Sequence, residues 1–139
     1  DTSADLGAPL TLSITDTTIN NSEKTAVAFT VSGIDADVAG ADATVTFSDG
    51  VLAHNVTVLA SAGTVDLSGM NDGPISSVLH VTDDAGNTAS ANGAAIDLDT
   101  SADLGAPLTL SITDTTINNS EKTAVAFTVS GIDADVAGA

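Results

Sequence analysis

Residues 99–139 repeat residues 1–41 letter for letter, DTSADLGAPLTLSITDTTINNSEKTAVAFTVSGIDADVAGA, at an offset of 98. That repeat sets the size of the folding unit before any other property is considered. A stretch of 98 residues is enough chain for one domain, whereas 41 residues bury too little surface to hold a core of their own. The expected organisation is one complete unit over 1–98 and the N-terminal part of a second over 99–139, holding its first two strands and the start of a third. Copying a unit unedited makes copy number, length or spacing the output. A catalyst instead needs one unique constellation, so no enzyme is expected. Residues 42–98 have two identical partners, 1–41 and 99–139, so strand exchange between molecules is a further expectation.

The apolar period is two. Leu10, Leu12 and Ile14 alternate with Thr11 and Ser13; Val27, Phe29 and Val31 alternate with Ala28, Thr30 and Ser32. Ala43, Val45 and Phe47 form a third run, and Leu52, Val56 and Val58 are expected to share a face in a fourth. Val65 and Leu67 give a short strand with Asp66 inside it, and Ile75, Leu79 and Val81 a longer one. The last run, 87–98, changes parity near Gly93, which predicts a bulge there. Turn residues such as Asp49-Gly50 and Asn71-Asp72-Gly73-Pro74 separate the runs. About seven short strands with no helical stretch predict an all-β fold, an Ig-like antiparallel β-sandwich in tandem repeat.

Composition narrows the partners. The chain carries 19 Asp and Glu against two Lys and Arg, a net charge of -17, yet 42% of it is apolar. The charge argues against nucleic acid and anionic membrane as partners, and the apolar fraction argues for a folded core. No cysteine is present, so neither disulfides nor thiolate metal sites hold it together. No apolar run is long enough to span a bilayer. Phe29, Phe47 and Phe127 are the only aromatics, few for a sugar-stacking cleft. His54 and His80 are read as ordinary strand residues, and no P-loop, nucleophile elbow or EF-hand loop occurs.

Seven strands in Ig-like order sort the acids to two ends. Asp1, Asp5, Asp35, Asp37, Asp83 and Asp84 fall where the chain enters; Asp16, Glu23, Asp49, Asp72 and Asp97 fall where it leaves. Between units, Asp97, Asp99 and Asp103 follow closely in sequence, and the 16–23 loop with Asn20 is expected near the following unit's Asp133 and Asp135. Oxygen donors without His or Cys suit Ca²⁺ rather than zinc or copper. With almost no Lys or Arg to offset them, clustered carboxylates call for such a cation. Asp also favours turns for its own hydrogen-bonding reasons.

Asp16-x-x-Ile19-Asn20-x-x-Glu23, the strand end Val31-Ser32-Gly33, the 63–69 stretch GTVDLSG, and the 82–89 stretch TDDAGNTA closing towards Asp97-Leu98-Asp99-Thr100 together resemble the bacterial Ig-like extender repeats of giant RTX-type adhesins. The likeness covers the whole 98-residue unit. It implies a calcium-stiffened spacer of a type I secreted, extracellular protein on the bacterial cell surface, stacked on neighbouring identical repeats and lifting a distal ligand-binding region. Its junctional ligands would be drawn from Asp16, Asn20, Glu23, Asp83, Asp84, Asp97, Asp99, Asp103, Asp133 and Asp135. Val65 stands where many relatives carry Trp, and the 101–107 stretch is longer than their linker. The alternative is an adhesive module whose own sandwich surface binds a glycan, a surface or a partner protein.

Overall fold

Each alternating run of the first unit that forms a strand turns its apolar parity inward. The computed structural model describes residues 2–5, 7–103, 106–134 and 136, in two units, Asp1–Thr100 and Ser101–Ala139. In chain order the first unit has β1 (Thr11–Ile14), β2 (Thr18–Ile19), β3 (Val27–Ser32), β4 (Ala43–Ser48) and β5 (Val56–Leu59). It continues with β6 (Thr64–Val65), β7 (Gly73–Thr82), β8 (Thr88–Asn92) and β9 (Ile96–Leu98).

One sheet runs β1-β3-β6 and the other β2-β9-β7-β4-β5, with β8 also on β7. All pairings are antiparallel except β2 with β9. This is an all-β sandwich, as the period of two requires. Leu12, Val27 and Phe29 from the first sheet bury against Val45, Phe47, Leu79 and Val81 from the second. The Phe29 and Phe47 rings meet at 5.7 Å, tilted by 55°, a geometry that adds about 0.5–1.5 kcal/mol beyond buried area.

The parity change near Gly93 is a shift of register. Residues 88–92 pair with β7 as Val78↔Asn92 through Thr82↔Thr88, and 96–98 pair as Ile75↔Ile96 through Gly73↔Leu98. Four steps from 92 to 96 thus oppose three from 78 to 75, which leaves one extra residue, a bulge. The expected single last strand is therefore two strands with the bulge between them. A Cβ on Gly93 would lie 2.2 Å from Ser77 Oγ and 2.8 Å from Ile14 Cδ1, so any other residue at this close approach would have to displace those side chains.

Three expectations need correction. Leu52 does not share a face with Val56 and Val58: 52–54 is a 3-10 turn, and Leu52 is 85% exposed. His54 sits in that turn rather than in a strand, because its ring is bound to Asp49. Asp66 is not inside a strand, since β6 stops at Val65 and Asp66 Oδ1 accepts the Ser68 N–H at 2.9 Å, closing a turn.

The second unit has β10 (Thr109–Ile112) and β11 (Phe127–Ser130), paired antiparallel from Thr109↔Ser130 to Ile112↔Phe127. That register is the one of β1 and β3 moved along the repeat. Local geometry is copied too: Gly33 and Gly131 have φ of 81° and 80°. Burial is not copied. Leu12 and Phe29 are 7% and 2% exposed, while Leu110 and Phe127 are 66% and 64% exposed. No helix among the described residues is long and apolar enough to cross a membrane.

Candidate functional site

The acids of the first unit gather at the two ends of the sandwich because the strands between them are built from apolar and hydroxyl side chains. At the end where β3 stops and β4 begins, Asp83 is buried at the start of the turn between β7 and β8. Its Oδ1 accepts the N–H groups of Ala85 (2.9 Å) and Asn87 (2.7 Å), and its Oδ2 accepts Asn87 Nδ2 at 2.7 Å. The Asn87 side chain, with the backbone N–H groups of Asn87, Ala85 and Gly86, holds the Asp83 carboxyl below its usual range against the opposing effect of burial. The neighbouring Asp84 N–H donates to the Asp37 carbonyl at 3.3 Å, so the 33–42 and 83–87 loops meet here.

At the opposite end, three loops are organised by side-chain oxygens. Asn20 Oδ1 accepts the N–H groups of Ser22 (2.8 Å) and Glu23 (3.2 Å), and Glu23 Oε2 accepts the Asn20 N–H at 3.1 Å. This reciprocal pattern is a capping box without a helix behind it. Asp49 accepts His54 Nδ1 and the Asn71 N–H, both at 2.8 Å, and the Val51 N–H at 2.9 Å. An ionised carboxylate only accepts, so His54 Nδ1 carries the proton. The Asp49 carboxyl is lowered to about 2, first by the Asn71 N–H and then by the His54 side chain. Thr100 binds Asp72 through its backbone N–H (3.0 Å) and its hydroxyl (2.8 Å). Asp97 lies within β9, opposite Thr18 and Pro74, and its N–H donates to Thr17.

The expected division of acids between two ends is therefore seen for those the structure ties to a neighbour. Asp37, Asp83 and Asp84 share one end; Glu23, Asp49, Asp72 and Asp97 share the other. Asp16 is exposed ahead of β2. Asp5 accepts the Ser3 hydroxyl at 2.8 Å, and Asp103 accepts that of Ser101 at 3.3 Å. Asp35, Asp99 and Asp133 are each engaged in an interaction. Asp1 and Asp135 lie outside the described residues.

Every one of these donors is an oxygen, which suits a hard cation such as Ca²⁺. Among the described residues, however, no three His, Cys, Asp or Glu come together as a metal group. The fit is one of donor chemistry, and the carboxylates of Glu23, Asp49 and Asp83 already hold turns. The sequence reading gave Asp72 no candidate role and did not see Thr100 as its partner. The turn residues 71–74 were the available signal, but the pairing spans 28 positions and leaves no local pattern.

No protein-family model matches this chain, and no curated protein matches it. Among solved structures it is similar to one described as "Ca2+-stabilized adhesin helps an Antarctic bacterium reach out and bind ice". The two are 28% identical over 88% of this chain and 33% of that one, with a TM-score of 0.44. The chain thus spans about a third of that protein's length. At a TM-score below one half the likeness adds nothing to the account of the fold.

Proposed function

We propose that this chain is a non-catalytic spacer module of a bacterial cell-surface adhesin, repeated head to tail and stabilised by calcium. The observation that carries the reading is the 41-residue repeat at an offset of 98. Unit length is the property such copying preserves. The path of the chain through the first unit supports it. The chain enters β1 at the end where Thr11 faces Ser32 and leaves β9 at the other end, where Leu98 pairs with Gly73 and Thr100 binds Asp72. A unit entered at one end and left at the other gains length with every copy. The similar solved structure is that of a calcium-stabilised adhesin, a theme in keeping with this proposal but not its basis.

Calcium would be taken by oxygen donors at the end where the chain leaves the first unit, Asp16, Asn20, Glu23, Asp97 and Asp99. Extracellular calcium modules bind at roughly 10⁻⁴ to 10⁻³ M, so they stay empty in the cytosol and fill outside the cell. At about 10 mM Ca²⁺ such a site stabilises by roughly 1.4–2.7 kcal/mol, a rise in melting temperature on the order of 5–20 °C for a unit this size. Thermal denaturation of the 139-residue chain in Ca²⁺ and in EDTA tests this. A midpoint that does not move removes calcium from the proposal.

A further inference from the structure

Asn92 is the one asparagine in the chain that glycine follows, and the pair sits at the bulge between β8 and β9. Every other asparagine precedes Asn, Ser, Val, Asp or Thr, whose side chains hinder approach to the backbone nitrogen. Gly93 brings no such hindrance. Asn92 is the exposed last residue of β8, opposite Val78, and its amide group has no hydrogen bond among the described residues. The Gly93 nitrogen, by contrast, is held: its N–H donates to the Ser77 carbonyl at 3.0 Å. In a strand the side chain stands out from the sheet while the N–H points along it to the neighbouring strand. The Asn92 amide carbon and the Gly93 nitrogen are thus neighbours that the paired backbone keeps apart. Glycine also follows Asp49 and Asp72. Those side chains are carboxylates, poor targets for an amide nitrogen when ionised, and each is already bound, by the Asn71 N–H and by Thr100.

We infer that Asn92 is a modification site, converted to aspartate and isoaspartate through a cyclic imide with Gly93, and that the bulge gates the conversion. Ring closure needs the Gly93 nitrogen to leave Ser77, lose its proton to solvent base and attack Asn92 Cγ. The new N–Cγ bond expels Nδ2, which takes up a proton and departs as ammonia. Water then opens the imide. Cleavage of the N–Cγ bond gives aspartate, and cleavage between the nitrogen and the main-chain carbonyl carbon of residue 92 gives isoaspartate. Either product places a carboxylate beside Val78, in a cross-strand row that continues through Thr46 to Thr57 without a charge. Isoaspartate also lengthens the main chain by one atom between 92 and 96, where the bulge already holds one residue too many for the ladder. The residues that follow, Ile96 and Leu98, are buried, so that lengthening loosens β9 on β7. An isoaspartate at 92 is therefore a lasting record that this segment has opened. The inference does not depend on the spacer reading, and neither calcium nor rod length enters its test.

The test incubates the full 139-residue chain in mildly alkaline buffer, with and without denaturing urea, and reads each asparagine by peptide mass spectrometry. In denaturing urea Asn92 is expected to convert about tenfold or more faster than any other asparagine, because glycine alone leaves the nitrogen unhindered. In native buffer its conversion should slow by about tenfold or more, since each event waits for local opening. Across a series of urea concentrations below the unfolding transition, the rate at Asn92 should rise in proportion to hydrogen exchange of the Gly93 amide. Asn92→Gln, whose longer side chain closes a ring far more slowly, should melt as the parent does and show no conversion at 92. Conversion in native buffer as fast as in denaturing urea, or unrelated to Gly93 exchange, overturns the gate and the inference with it. Conversion in denaturing urea that spares Asn92, or falls evenly on all the asparagines, overturns the site.

Discussion

Thr100 donates both its backbone N–H and its hydroxyl to the carboxylate of Asp72, at 3.0 and 2.8 Å. The last residue of the first unit is thereby fixed to the loop between β6 and β7. Thr100→Val keeps the N–H bond and loses the other. A hydrogen bond to a charged acceptor is worth about 1.5–3 kcal/mol when well shielded, and this one is half-buried. The expected loss is roughly 1–2 kcal/mol, read as a lower melting midpoint, with Thr100→Ser close to the parent. Equal midpoints for all three would show that the contact does not hold this end.

The bulge makes a paired prediction. Gly93→Ala drives a methyl to 2.2 Å from Ser77 Oγ, and overpacking of this kind costs about 1–3 kcal/mol. Ser77 is buried, and its hydroxyl has no hydrogen-bond partner among the described residues. Ser77→Ala therefore removes an unsatisfied polar atom and is expected to stabilise by about 1 kcal/mol. The double variant should recover part of the Gly93→Ala loss beyond simple addition. Urea denaturation of the four proteins measures the coupling, and strict additivity would refute the contact.

Acid stability should depend on Asp49. Its folded-state pKa is about 2 against an ordinary value of 3.8, so the folded state favours the ionised form. A group shifted this way contributes stability that is fully present above its unfolded pKa and is lost as pH falls through the folded one. The window is thus from about pH 4 down to about pH 2. Asp66 and Asp83 are lowered in the same direction, by Ser68 and by Asn87 respectively. In Asp49→Asn, a plot of melting temperature against pH should be flatter across that window than in the parent. An unchanged slope would mean that Asp49 contributes no linkage.

Two identical phenylalanines should behave oppositely. Phe29 is 2% exposed and Phe127 is 64% exposed. Phe29→Ala is expected to cost about 3–5 kcal/mol, and Phe127→Ala to stay within about 0.5 kcal/mol. Thermal melting of the first unit reads both. Comparable losses would mean that the second copy is as buried as the first.

The repeat also shows how far local sequence reaches. The strand pairs β1–β3 and β10–β11, the 20–23 turn and its copy at 118–121, and the positive φ of Gly33 and Gly131 form alike in both units, so these features are local. The Gly93 bulge was visible for the same reason, as a change of parity along one strand. Thr18 and Ile19 are a strand beside β9, yet the identical Thr116 and Ile117 are not. That pairing depends on a segment far away in sequence, and alternation could not reveal it. Burial depends on partners in the same way, as Leu12 and Leu110 demonstrate. The acids could be sorted to two ends because strand order does the sorting. Which of them hold turns, as Asp49 and Asp83 do, depends on backbone N–H groups that only the folded loops bring round.

Small-angle scattering from chains of one, two and four complete 98-residue units tests the spacer account most directly. The ten residues of β7 span about 34 Å when extended. The account predicts that in millimolar Ca²⁺ the maximum dimension rises linearly, by roughly 30–40 Å for each added unit. A dimension that grows only as the square root of unit number, as in a flexible chain, would contradict it.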